Sequence, residues 1–156
     1  MALPPEVRLP HVQALGSHNS YHLEPAQPLS PSHRYSHPPL DEAADRGVRA
    51  FELDVHRADD GTLEVFHLPG IDAETTCRTL RGCLEVLLAW SRGHPCHTPL
   101  VVWLEPKDDV DELFPGYGPL TGAILEVDAA VREVWPPERL FVPDALRGAR
   151  IGRAHV

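Results

Sequence analysis

The chain has 156 residues, 42% of them hydrophobic and 24% charged, which suits one globular domain with room for a sizeable core. Its formal net charge of -9 excludes the basic footprint that nonspecific nucleic-acid binding needs, and disfavours electrostatic docking on an anionic membrane. No run approaches the roughly 18 apolar residues of a transmembrane segment.

At the N-terminus, Met1-Ala2-Leu3-Pro4-Pro5 has neither the basic start nor the apolar core of a signal peptide. The sequence leaves two alternatives for the compartment: the cytoplasm, or secretion by a signal that lies upstream of this Met. Val12 to Leu15 reads as a short strand. It runs into Gly16-Ser17-His18-Asn19-Ser20-Tyr21-His22, so an imidazole and a carboxamide meet at a strand's C-terminal end, where α/β folds collect their chemistry. The stretch from Tyr21 to Pro39 carries Pro25, Pro28, Pro31, Pro38 and Pro39 and reads as a long loop, with His33 and His37 as solvated loop histidines. Leu40 to Gly47 reads as a short helix, with Asp41 and Glu42 in its first turn and Gly47 at its stop.

Val48 to Val55 reads as a buried strand. Its period of two puts Glu52 and Asp54 on one face and Phe51, Leu53 and Val55 on the other. Two carboxylates side by side repel, so without a cation or a basic partner one must take up a proton. Only seven residues, His56 to Thr62, separate this run from Leu63-Glu64-Val65-Phe66-His67, too few for a parallel crossover. The expected hairpin turns between Asp60 and Gly61. That sets Asp54 opposite His67, within a residue, and returns the imidazole beside Asp54 and Glu52.

Thr76 to Arg92 reads as a helix with Leu80, Cys83, Leu84, Leu87, Leu88 and Trp90 on its apolar side, Trp90 as core packing. Leu100 to Leu104 is apolar without alternation, as in a parallel strand buried on both faces. It ends in Glu105, with Lys107 on the same face if extended geometry continues past Pro106. A surface salt bridge is the plainer reading of that pair; its place at the end of a buried strand points to a site. Asp108 to Gly118 reads as a loop, and Pro119 to Val134 as a helix with Ile124, Val127, Val131 and Val134 on one side. Trp135-Pro136-Pro137 stops it, and Arg139 to Pro143 starts a further strand. Cys77, Cys83 and Cys96 cannot all pair within one chain and match no common zinc spacing, so buried thiols with at most one disulfide are expected.

Ser17-His18-Asn19-Ser20-Tyr21, then Glu52-Leu53-Asp54-Val55, then Val65-Phe66-His67, then a strand ending in Glu105 resembles the phosphatidylinositol-specific phospholipase C-like phosphodiesterases. The calcium-dependent bacterial branch is the nearest in kind. The resemblance implies a distorted TIM (β/α) barrel with its site at the strand C-termini. It makes His18 and His67 the catalytic imidazoles and Asn19, Glu52, Asp54 and Glu105 the Ca2+ ligands. Glu52 or another site carboxylate takes a proton, and Lys107 contacts phosphate. The substrate it implies is a phospholipid diester at a membrane surface, cleaved to diacylglycerol and a cyclic inositol phosphate.

Oxygen-rich residues without thiols are the donor set calcium prefers. The chain departs from the family in length, since a complete barrel usually takes about 250 residues. The strands counted make up about the first half, so a single C-terminally incomplete domain is expected over residues 1–156. Such a half-barrel leaves a sheet edge at Leu100 to Leu104 open to self-association. Two other functions compete. A glycerophosphodiester phosphodiesterase shares the Glu-x-Asp and Glu-x-Lys pattern, but its first motif usually carries His-Arg-Gly. A truncated, inactive member would bind calcium or lipid without turnover.

Overall fold

The structure is a computed structural model and describes residues 11–108 and 114–142. Its elements in chain order are β1 (Leu15–Ser17), α1 (Leu40–Asp45), β2 (Val48–Ala58), β3 (Leu63–Val65), α2 (Leu80–Gly93), β4 (Val101–Pro106), β5 (Tyr117–Gly118) and α3 (Ile124–Val134). Short 3-10 turns lie at Pro31–His33 and Pro137–Arg139. Everything is hung on β2. Its first half pairs with β1 and its second half with β3 along one edge; β4 and then β5 take the other. β1 and β4 run parallel to β2, while β3 and β5 run antiparallel.

The alternation seen in the sequence explains why β2 is central. Phe51, Leu53 and Val55 are all buried and enter a core with Ala43 and Ala44 of α1, Leu80, Leu84 and Leu87 of α2, and Val127 of α3. Burying each large apolar side chain is worth about 1.5–3 kcal/mol. All three helices contribute to this one face. The opposite face carries Glu52 and Asp54 from β2 and Val101, Trp103 and Glu105 from β4, in parallel register. The described sheet is open rather than closed into a barrel, and β4 has β2 as its pairing partner. Among the described residues no helix is long and apolar enough to cross a membrane.

Several expectations are corrected. β1 begins at Leu15, not Val12, because pairing with β2 defines it: Leu15 faces Val48 and Ser17 faces Phe51. Gly16 permits that approach, since a Cβ there would come 3.3 Å from the Cβ of Ala50. β4 is buried on one face only; Val101 is 49% and Trp103 67% exposed, while Val102 and Leu104 pack on the core. A continuous apolar run shows burial on both faces only when layers cover both faces, and here the helices cover one. α2 starts at Leu80 rather than Thr76 because the Thr79 side chain accepts from the Gly82 N–H and caps it. α3 starts at Ile124, whose side chain is exposed; the buried anchor ahead of it is Leu120. The expected loop from Asp108 contains β5, and the strand expected at Arg139 is replaced by the turn at Pro137–Arg139. Pro143 lies outside the described residues.

Cys77 and Cys83 form a disulfide across the start of α2, and Cys96 is free and exposed rather than buried. Thiol titration is therefore expected to find one free group before reduction and three after. Replacing all three with Ser is expected to lower unfolding stability by about 2 kcal/mol, the loop-entropy worth of so short a cross-link. Any diesterase activity should stay within a few-fold. A loss of several hundred-fold with the circular dichroism unchanged would assign the sulfurs a chemical part.

Candidate active site

Parallel register does most of the assembly. Asp54 sits opposite Glu105 and Glu52 opposite Trp103, so three carboxylates from two strands share one face. One oxygen from each of Glu52, Asp54 and Glu105 lies within 4.8 Å of the others. Asp54 is 1% exposed, and both its oxygens and Glu52 Oε1 are buried without a hydrogen-bond partner. Buried carboxylate oxygens left this way are costly unless something positive answers them. Lys107 answers in part. Its ammonium donates to Glu105 Oε1 at 2.6 Å and stands 3.2 Å from Asp54 Oδ1, close enough to attract but not aligned as a hydrogen bond. Against the burial that lowers it, these two carboxylates hold the Lys107 ammonium above its usual range.

Glu52 carries the strain of the cluster. Burial first, then the adjoining Asp54 carboxylate, and then the charge of Glu105 push its carboxyl up to about 8, against the pull of the Asn19 N–H. Its folded value is above the unfolded 4.5, so the metal-free fold binds the extra proton between those values. Stability is complete below the lower value and is lost as pH rises through the upper one. The melting temperature of the metal-free protein is therefore expected to fall between about pH 5 and about pH 8.5, by about 3 °C per kcal/mol lost. Glu52→Gln should flatten that slope relative to the parent, and calcium should restore the temperature. Parallel slopes in the two proteins would remove Glu52 as the cause.

The His18-Asn19 turn is stapled to this cluster. The backbone N–H of Asn19 donates to Glu52 Oε2 at 2.6 Å, Ser20 N–H to the Glu52 carbonyl at 3.0 Å, and Glu52 N–H to Ser20 Oγ at 3.0 Å. Asn19 takes a left-handed φ of 47°, which Asn tolerates better than most residues. Its amide nitrogen donates to the Tyr35 hydroxyl at 3.1 Å, and its Oδ1 accepts from the Tyr21 hydroxyl at 3.3 Å. Burial, and then the Asp54 charge, raise the fully buried Tyr21 phenol, which keeps it a proton donor. His18 stands exposed where two clefts meet. One, of about 460 Å³, is lined by Gly16, His18, Glu52, Trp103 and Glu105; the other, of about 510 Å³, by His18, Asn19, Tyr35, His37 and His67.

His67 thus shares a cleft wall with His18, although 49 positions apart by number (67 minus 18). The hairpin register is one residue from the expected one: Val55 pairs with Val65, which sets Asp54 against Phe66. The hydrogen bond of His67 goes to Asp72 rather than to Glu52 or Asp54, Nδ1 to Oδ2 at 2.8 Å. Asp72 is fully buried, and its Oδ1 also meets His22 Nε2 at 2.8 Å. His22 Nδ1 meets the Tyr35 carbonyl at 3.0 Å, so both its nitrogens face oxygen atoms. His33 is 9% exposed, not a solvated loop residue, because the turn at Pro31–His33 packs its ring edge-on to His67 at 5.6 Å. His37 is half-buried and its Nε2 lies 3.0 Å from the His18 carbonyl. Asp72 and His22 escaped the sequence reading. The Pro69-Gly70 dipeptide was the available signal, since a turn there folds Asp72 back to Leu68, the residue after His67.

The family described as phosphoinositide phospholipase C, Ca2+-dependent, matches residues 7–63 and 56–152. Among solved structures the fold is similar to a calcium-dependent phosphoinositol-specific phospholipase C from the Gram-negative bacterium Pseudomonas sp. One crystal form of its apo state aligns with 23% identity and a TM-score of 0.56, over 86% of this chain and 43% of that one. The structure of the same enzyme described as a myoinositol complex aligns with 23% identity and a TM-score of 0.56, over 86% and 44%. The chain spans less than half the length of these proteins, and the likeness bears on the fold alone. No curated protein sequence gives a significant match.

Proposed function

Because the chain belongs to the Ca2+-dependent phosphoinositide phospholipase C family, we propose that it acts on phosphatidylinositol-type phosphodiesters at a membrane surface. The products are diacylglycerol and a cyclic inositol phosphate. The observation that carries this reading is that Glu52 Oε1 and both Asp54 oxygens are buried without a hydrogen-bond partner, beside Glu105 and the His18-Asn19 turn. The donors fit calcium: three carboxylates on one face, and the side-chain oxygen of Asn19, whose backbone N–H is held by Glu52. Asn19, Glu52, Asp54 and Glu105 are the ligands in this reading. When bound, the ion lowers the pKa of the attacking hydroxyl and offsets charge on a phosphoryl oxygen.

The chain's own residues do the rest. Glu52 or Glu105 takes the proton of the inositol 2-hydroxyl, whose oxygen forms the new bond to phosphorus. His18 donates to the phosphoryl oxygens as charge builds on them. The bond from phosphorus to the glycerol oxygen breaks, and His67 protonates that oxygen. Asp72 holds the Nδ1 side of His67, which leaves Nε2 to face the cleft. Lys107, now beside Glu105 and Asp54, contacts phosphate. The exposed Val101 and Trp103 and the outer edge of β4 are where self-association belongs in this reading.

Phosphorus NMR of phosphatidylinositol vesicles mixed with the protein tests the proposal. A cyclic inositol phosphate signal is expected in calcium and not in chelator. A non-cyclic phosphomonoester from glycerophosphodiesters would favour the glycerophosphodiesterase reading. Calcium binding with no product at any protein concentration would overturn turnover by this chain and leave the inactive calcium-binding alternative.

A further inference from the structure

A second group of ligand atoms lies apart from the carboxylates. His33 Nδ1, His67 Nδ1 and one Asp72 oxygen all fall within 4.8 Å of one another. Asp72 is fully buried and His33 is 9% exposed, and His33 Nδ1 has no hydrogen-bond partner. It stands 3.8 Å from Asp72 Oδ2, too far to bond and close enough to share an ion. A nitrogen so placed is turned toward a carboxylate across a gap. Two imidazoles and one carboxylate form a donor set of borderline softness, which suits zinc and not calcium. Tetrahedral zinc needs its ligand atoms roughly 3.3 Å apart, so adjustments of an ångström or so close the site. A support is already built: His22 holds the other Asp72 oxygen at 2.8 Å, the outer hydrogen bond that ligating carboxylates usually carry. The fourth position would face the cleft that His67 lines.

We propose that His33, His67 and Asp72 form a zinc site that switches the cleft off by capturing His67. Zinc replaces the proton on Nδ1, and the metal-bound neutral ring is left with an Nε2–H too weakly acidic to protonate a leaving oxygen. The inhibitory half rests on the function proposed above; the binding half rests on geometry alone.

The test titrates the intact chain with zinc in excess calcium, so that the carboxylate cluster is already satisfied. Cobalt serves as the optical probe of tetrahedral coordination. A 1:1 site of micromolar or tighter affinity is expected, weakened at least about tenfold by His33→Gln and again by His67→Gln. His94→Gln/Cys96→Ser removes an exposed imidazole and thiol near each other in sequence that could bind zinc elsewhere, and should change nothing. Circular dichroism and metal-free melting show that each variant folds. Undiminished 1:1 binding in both His33→Gln and His67→Gln, or binding lost in His94→Gln/Cys96→Ser, would overturn the site. Where turnover is measured, zinc should inhibit the parent and His33→Gln should need at least tenfold more; full activity in the zinc-loaded protein would overturn the inhibition and leave the site standing.

Discussion

Calcium binding is expected to vanish in Glu52→Gln/Asp54→Asn, with calorimetry showing affinity at least about a hundredfold weaker, equivalent to about 2.7 kcal/mol. The double change removes two of the three charged donors while keeping their shapes. Both residues hold buried oxygens with no other partner, so the cation has most to gain from them. The variant should remain folded. It deletes the carboxyl that burial and then Asp54 push up, so the metal-free protein is expected to melt at a higher temperature above neutral pH than the parent does. Lys107 keeps its partner Glu105 at 2.6 Å and gains no competing charge. Loss of heat on titration, with a raised melting temperature, is therefore a result that unfolding cannot imitate. Undiminished binding would move the ion to other residues and take the proposed ligand set with it.

His67→Ala is expected to lower cleavage of a substrate with a poor alkoxide leaving group by 10² to 10⁴, about the worth of a general acid. A substrate with a good leaving group should lose less than about tenfold, because its departing oxygen needs no proton. His18→Ala should slow both, since charge develops on the phosphoryl oxygens in either case. The two imidazoles stand in different surroundings. His18 stands at the junction of the two clefts, next to Glu52 and Glu105, while His67 is turned away from the carboxylates by its bond to Asp72. Comparing rates for the two substrates separates an acid from a residue that merely fills space. Equal losses on both for His67→Ala would remove it from the acid role.

How much of this was legible before the fold was known differs by residue. Glu52 and Asp54 declared themselves through local geometry: a strand repeats every two residues, so their shared face follows once the strand is recognised. The hairpin around Asp60-Gly61 was equally local and came out within one residue of its register. Glu105 and His18 joined that cluster only through pairing of β4 and β1 with β2, at separations no spacing rule spans. The burial of β4 was misjudged because an apolar run carries no record of which layers cover it. Asp72, His22 and His33 were missed for a related reason. Each is polar and sits in a Pro- or Gly-marked loop, where solvation is the ordinary outcome. Their burial comes from packing two separate loops on each other, through the His22–Asp72 and His67–Asp72 hydrogen bonds. The sequence by itself determined the strand face that holds the carboxylates, the hairpin and the helix patterns, because those depend on neighbours within a few residues. Only the tertiary structure decided which imidazole meets which carboxylate, because that depends on loops brought together from distant positions in the chain.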